Sequence, residues 1–291
     1  MEESQLSIAN PIRTNAIIKK FNLRAKKQLG QNFLTNEQAI QGIVDAAELG
    51  QADTVIEIGP GIGSLTEKLA QNAGQVYAFE IDDSLIPVLA DTLFPYNNVE
   101  VINEDILSVD LDNFVKEKNI TGPIKVVANL PYYITTPILL QLLDDDINFD
   151  KMVLMMQKEV AERINATPGH REFGSLTITV QSRMDAEISL IIDKKSFFPQ
   201  PKVDSAVVTL SKMDNNKYEI DDFAKFNKFI RACFAQKRKS LWNNLLNMLG
   251  RTDEMKQKIT SVFEELNISS NARAEQLSIT TLKSLFDLLG K

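Results

Sequence analysis

Asn129, Leu130, Pro131 and Tyr132 stand together at the end of an apolar run, Ile124 to Ala128, and offer three chemical handles. Asn129 contributes a side-chain amide. Pro131 disfavours the α region for the residue before it, which holds Leu130 extended and fixes the aim of its carbonyl. Tyr132 adds a flat aromatic surface. An amide, a rigid acceptor and a ring at one point suit the holding of a planar nucleobase by its exocyclic amine. The run before them reads as a buried strand, and in open α/β sheets ligands bind outside the carboxyl ends of the strands. The same four residues also fit a plain exit from strand to loop, so the reading rests on what lies upstream.

Upstream, the short apolar strand Thr54 to Ile58 runs into Gly59-Pro60-Gly61-Ile62-Gly63. Ser64-Leu65-Thr66-Glu67 then predicts a capping box opening a helix. Glycine permits a tight turn and lets a ligand approach the backbone closely. A dinucleotide fingerprint laid on Gly59 and Gly61 needs a third glycine at position 64, which is Ser64. The pattern here is instead Glu-x-Gly-x-Gly-x-Gly from Glu57, a turn suited to a cofactor with no pyrophosphate. The next strand, Gln75 to Phe79, ends at Glu80, where a carboxylate can take both hydroxyls of a ribose. A third, Val99 to Asn103, leads to Asp105, placed to accept from an adenine amino group, and to Ile106, placed to pack on the ring. Singly, each acid is more often a helix cap or a loop charge. Falling in turn at the ends of successive strands, they read as one site.

The whole chain sets bounds. Its 291 residues suffice for about two domains. A content of 44% hydrophobic and 24% charged residues is that of a globular protein, which sets aside disordered and fibrous classes. No apolar run nears the roughly 20 residues of a membrane-spanning helix. The N-terminus lacks the apolar core of a secretory leader, so a cytoplasmic protein is expected. A lone cysteine, Cys233, excludes an internal disulfide, and a lone histidine, His170, argues against a metal site. The net charge of −7 is uneven: residues 1–30 carry +4, residues 45–118 carry −12 and residues 221–251 carry +5. Two basic ends around an acidic middle could meet a polyanion at the ends alone. Solvated charge on separate surfaces is the plainer alternative.

The remaining elements follow from periodicity. Gly30-Gln31-Asn32-Phe33-Leu34 precedes a helix beginning near Asn36, with Ile40, Ile43, Val44 and Ala47 on one face. Thr136-Pro137 reads as the start of a helix to Leu143, and Lys151 to Gln157 as a strand before the helical turn Glu159 to Ile164. Leu176 to Val180 and Ala206 to Leu210 read as the last strands. Between them, Phe197-Phe198-Pro199-Gln200-Pro201 predicts a stiff loop able to present an aromatic ring. From about Asp214 the pattern is helical, with Phe223, Phe226, Ile230, Cys233 and Phe234 on one face. That helix is expected to continue through Lys237, Arg238 and Lys239 to Asn244. Domains of 1–213 (with 1–30 a basic leader) and 214–291 are predicted.

In this order, Gln31-Asn32-Phe33-Leu34, Glu57 to Gly63, Glu80, Asp105, Asn129 to Tyr132, Phe197-x-Pro-x-Pro-Lys-Val-Asp-Ser and Gln236-Lys237-Arg238-Lys239-Ser240-Leu241 resemble one family. It is the S-adenosylmethionine-dependent rRNA adenine N6-dimethyltransferases, and the bacterial branch acting on small-subunit (16S) rRNA is the most similar. The resemblance runs from about Lys26 to the C-terminus. It implies an α/β class I (Rossmann-like) fold, a seven-stranded sheet with its last strand antiparallel and helices on both faces, plus a small all-α C-terminal domain that binds rRNA. It implies S-adenosylmethionine as cofactor, held by Asn32, Leu34, Gly59, Glu80, Asp105 and Asn129, to which the strand-end reading adds Gly61 and Ile106. Asn129, Leu130, Pro131 and Tyr132 become the target-base site, with Phe197 as second aromatic wall. Lys26, Lys27, Lys202, Arg231, Lys237, Arg238 and Lys239 become the RNA contacts. The implied substrate is a pair of adjacent adenosines near the 3′ end of 16S rRNA in the assembling small subunit, and the implied state a metal-free monomer. Lys237 departs from the family, which often has arginine there and so a bidentate grip on phosphate. A large-subunit rRNA dimethylase, a non-catalytic assembly factor and a nicotinamide dehydrogenase are the rival readings. The acidic net charge, the intact Asn-Leu-Pro-Tyr and Ser64 weigh against them respectively.

Overall fold

The structure, a computed structural model, describes residues 6–144, 147–213 and 217–290. After helix α1 (Pro11–Lys20) and the two-residue strand β1 (Phe33–Leu34), helices and strands alternate. They are α2 (Glu37–Ala47), β2 (Thr54–Ile58), α3 (Ser64–Asn72), β3 (Gln75–Phe79), α4 (Ile86–Thr92), β4 (Val99–Ile102), α5 (Leu111–Glu117), β5 (Ile124–Asn129), α6 (Thr135–Asp144) and β6 (Lys151–Gln157). Such alternation makes each strand parallel to its neighbour, because the helix carries the chain back. Accordingly β4-β3-β2-β5-β6 pair in parallel. After α7 (Lys158–Ile164) and α8 (Ser175–Gln181) come β7 (Met184–Ile192), β8 (Phe197–Phe198) and β9 (Ser205–Lys212). β9 runs antiparallel to β6, and the order is β4-β3-β2-β5-β6-β9-β7. This is the seven-stranded sheet expected.

Successive strand residues point to opposite faces. Val55, Val76, Val127, Val153 and Val207 share one face, covered by Ile40, Ile43 and Val44 of α2 and Leu65 and Leu69 of α3. Tyr77 and Phe79 take the other, where Phe114 of α5 meets both edge-on at 5.1 and 5.2 Å. A charged side chain lies inside the sheet. Lys125 of β5 is buried with its Nζ 2.8 Å from Asp53 Oδ2 and 2.7 Å from the Glu48 carbonyl, partners without which a buried cation would be untenable.

The basic leader is folded onto the acidic segment. Asn10 caps α1, Ile8 and Ile17 pack with Val88 and Leu89 of α4, and Arg13 and Lys20 pair with Glu67 and Asp91 at 3.2 and 2.7 Å. Glu67 also accepts from Ile8 N at 2.9 Å, so it is not the partner in a capping box. Gly63 is the cap of α3 and Ser64 is already helical.

The chain divides into two compact units, one of residues up to Ala161 with Glu187–Lys212, the other of Glu162–Ala186 with Met213 onward. The second is helical, with α9 (Phe223–Cys233), α10 (Leu241–Leu249), α11 (Asp253–Glu265) and α12 (Ile279–Leu289). It is knit together by Phe226 and Phe229 of α9, whose rings sit 5.4 and 5.6 Å from Phe286 of α12. Asp214, the expected first residue of this domain, lies outside the described residues. Three expectations are corrected. The single cut misses Glu162–Ala186, which contributes Phe173 and Ile178 to the helical core. Leu176 to Val180 is not a strand but most of α8: Thr177 accepts from Gly174 N at 3.0 Å and donates to the Arg163 carbonyl at 2.6 Å. Packing against helices overrides the β-branched composition, and the seventh strand is Met184–Ile192. The α9 helix stops at Cys233, and Lys237, Arg238 and Lys239 are exposed in a loop before Ser240, which caps α10.

Phe173 is fully buried. Phe173→Ala is expected to destabilise the helical unit by about 3–5 kcal/mol. Urea unfolding followed by the single tryptophan, Trp242, which packs on the same core, measures it.

Candidate cofactor and target-base site

The carboxyl ends of β2, β3, β4 and β5 open into a cavity of about 180 Å³. Gly59 and Gly61 follow β2, Glu80 follows β3, and Asp105 and Ile106 follow β4; all of them line it. Asn129 ends β5, and with Leu130, Pro131 and Tyr132 it lines the same space. Asn32 and Leu34 come in from the segment before α2. The residues expected to hold a cofactor and those expected to hold a base, Phe197 excepted, are thus brought together.

The glycine turn has the backbone its composition requires. Gly59 and Gly61 have φ of 70° and 61°, values open to glycine at little cost. Gly61 N then donates to Glu80 Oε2 at 3.2 Å, and Asp82 N donates to Glu80 Oε1 at 2.8 Å. Burial raises the Glu80 carboxyl above its usual range, against the pull of those two N–H groups. Asp105 both lines the cavity and caps the turn after it, accepting from Leu107 N at 3.0 Å. Glu57 is fully buried in the cavity wall, and its Oε2 has no partner. Burial pushes its carboxyl up to about 8, which the Thr66 hydroxyl only partly offsets and the charge of Glu80 reinforces.

At the base side, Asn129 Nδ2 lies 3.5 Å from the Asn32 carbonyl, a long contact that turns the amide oxygen away from it. Leu130 N donates to the Met155 carbonyl at 3.0 Å, and Thr135 Oγ1 to the Pro131 carbonyl at 3.0 Å, so both strand exit and helix start are fixed. The Tyr132 hydroxyl shares a 2.6 Å hydrogen bond with Ser205 Oγ, and burial raises its pKa. Phe197 is a correction. β8 pairs with β1, Leu34 opposite Phe197 and Phe33 opposite Phe198. Alternation then sends the Phe197 ring, 4% exposed, into the core beside Leu34 and Val207, and leaves Phe198 49% exposed. Phe197 supplies no second wall.

Among the RNA candidates, Lys202, Arg231, Lys237, Arg238 and Lys239 are exposed, the side chain of Lys27 lies outside those described, and Lys26 is committed elsewhere: its Nζ is 2.6 Å from Asp82 Oδ1. Reading the sequence missed Asp82, Gln31 and Tyr133. Gln31 and Tyr133 line the cavity, and Asp82 is buried with Gln31 Nε2 2.7 Å from its Oδ2; for Asp82 the available signal was an acid two residues after Glu80.

A parallel sheet with one antiparallel insertion, and a glycine turn and strand-end acids around one cavity, define a class I methyltransferase. A sequence profile of the ribosomal RNA adenine dimethylase family matches residues 22–289, and the chain belongs to that family. Full-length relatives include the ribosomal RNA small subunit methyltransferase A of Ligilactobacillus salivarius, 51% identical over 98% of this chain and 96% of its own. That of Streptococcus gordonii is 47% identical over 98% of both. Among solved structures, a dimethyladenosine transferase from Plasmodium falciparum superposes with a TM-score of 0.75 at 29% identity, covering 88% of this chain and 96% of that one. A 23S rRNA methyltransferase, ErmE, gives 0.67 at 25% identity over 89% and 100%. The protein is an S-adenosylmethionine-dependent rRNA methyltransferase.

Glu57 keeps its proton in the folded chain from its ordinary 4.5 up to about 8, a range in which the unfolded chain has released it. The folded state binds more protons there, so stability falls as pH rises through that window. Glu57→Gln should flatten this fall, read as the shift in denaturant midpoint between pH 5 and pH 8 (about the window's edges).

Proposed function

We propose that the protein dimethylates N6 of two adjacent adenosines in the loop of the 3′-terminal hairpin of 16S rRNA, on the assembling small subunit in the cytoplasm. The observation that carries the site assignment is the Asn129 amide, which stands at the end of β5 on the wall of the cavity that the cofactor candidates share. Relatives 47–51% identical over nearly their whole length carry the small-subunit name, while the 23S enzyme is only 25% identical, which favours the small subunit as target.

When bound, S-adenosylmethionine supplies an electrophilic sulfonium methyl group. Glu80 suits its ribose hydroxyls, and Asp105 and Ile106 its adenine. The other side of the cavity prepares the acceptor. An exocyclic adenine nitrogen is a poor nucleophile because its lone pair is delocalised into the ring. The Asn129 side-chain oxygen and the Leu130 carbonyl each accept one of its N–H bonds, which draws the nitrogen towards tetrahedral geometry and frees the lone pair. No titrating side chain is needed, since the nitrogen sheds its proton after it has become cationic. Orientation of this kind contributes on the order of 7–11 kcal/mol. Unstacking the base costs a few kcal/mol, less in a loop, and the Tyr132 ring offsets about 1–3 kcal/mol of it. Lys237, Arg238 and Lys239, exposed on one loop, meet rRNA phosphates.

Incubation with labelled cofactor and unmethylated small subunits, followed by primer extension across both rRNAs, tests the target; label confined to 23S rRNA would refute it. Asn129→Ala should lower methyl transfer on the order of 10²-fold or more while leaving cofactor affinity within a few-fold. Replacing Lys237, Arg238 and Lys239 by Ala should weaken RNA binding and reduce the slope of log affinity against log salt by about 2.

A further inference from the structure

One wall of the cavity, residues 29–34, is laid across it from outside the strand ends. At its far end this strap is fixed by the pairing of β1 with β8. At its near end it is fixed by one carboxylate. Asp82, 3% exposed, accepts from Lys26 Nζ at 2.6 Å and from Gln31 Nε2 at 2.7 Å, while Ser84 N at 3.0 Å holds it from below. Gln31 closes the ring, its Oε1 accepting from Lys26 N at 2.8 Å. The Asp82 N–H in turn donates to Glu80 Oε1 at 2.8 Å. The strap is drawn down far enough that a Cβ on Gly30 would come within 3.3 Å of the Tyr133 ring.

We propose that Asp82 is a positioning residue of the cofactor site: with Lys26 and Gln31 it clamps the strap so that Asn32 and Leu34 close over the cofactor that Glu80 holds. The inference rests on the cavity being the cofactor site. It gives a role to a buried acid that no step of methyl transfer uses. The carboxylate stays ionised down to low pH, because the hydrogen bonds from Lys26, Ser84 and Gln31 outweigh its burial and bring it to about 2. The Asp82 end of the clamp therefore stays charged well below neutral pH. Lys26, on this account, serves the cofactor and not the RNA.

S-adenosylhomocysteine binding to Asp82→Asn, Lys26→Met and the double variant, measured calorimetrically on the full chain, is the test. Each single change should weaken binding by about tenfold, and the double should be no weaker than Asp82→Asn alone, because both act through one contact. The turnover at saturating cofactor should hold, and Lys26→Arg should restore affinity. The ligand should protect the wild-type strap from trypsin but leave that of Asp82→Asn open to cleavage after Arg24. Wild-type affinity in both single variants would overturn the proposal, as would a loss confined to Asp82→Asn, since a clamp needs both ends. Lys26 is partly exposed, so its loss separates the clamp from misfolding. Glu80→Ala is the control. If it loses affinity while Asp82→Asn and Lys26→Met do not, the clamp alone fails; if none of the three loses affinity, the cofactor-site reading fails first.

Discussion

Parallel pairing is the constraint on which this protein's chemistry depends. Ile58 lies opposite Phe79 and Phe79 opposite Ile102, while Ile56 lies opposite Val126, so β2, β3, β4 and β5 end at nearly one level. Parallel strands all deliver their carboxyl ends to the same edge. Whatever residue follows each strand must then face a common space. A glycine turn, two acids and an amide, separated by tens of residues along the chain, become neighbours without any helix or loop having to reach for them.

The site's second feature is its use of carboxylates away from water. Glu57 is held neutral by burial, Glu80 is raised but steadied by two N–H donors, and Asp82 is ionised because Lys26, Gln31 and Ser84 surround it. The three acids thus differ in how far hydrogen-bond partners offset burial: least for Glu57, in part for Glu80 and more than fully for Asp82. The concentration of negative charge in residues 45–118 is in part answered by the leader, through Arg13, Lys20 and Lys26. The exposed pairs among these contribute little stability. Their effect is to place the leader, and with it the segment that lines one wall of the cavity.

On the proposed function, the acceptor side works by geometry instead of titration. Pro131 holds Leu130 extended, Leu130 is anchored by Met155, and Tyr132 is tied to Ser205 at the start of β9. A preorganised set of acceptors costs nothing to rearrange at the moment of reaction. On that reading an amide, a carbonyl and a ring suffice where a histidine or cysteine would otherwise be looked for.

Much of this was legible from sequence. Strand ends, glycine turn and amphipathic helices are local patterns of period two or three to four, so Gly59, Gly61, Glu80, Asp105 and Asn129 could be set at one edge before any coordinates. Several features were not legible. Whether Phe197 or Phe198 faces solvent turned on the pairing of β8 with β1, a partner more than 160 residues away, and a one-residue change in that register exchanges the two rings. Leu176 to Val180 has strand composition and became a helix because Phe173 and Ile178 found a helical core. Asp82 looked like one acid among many until Lys26 and Gln31 arrived beside it. The sequence by itself determined which residues leave the strands at the active edge, because that depends only on neighbours along the chain. Tertiary structure alone decided which of them are buried, paired or free, because those properties belong to groups that meet only when the chain has folded.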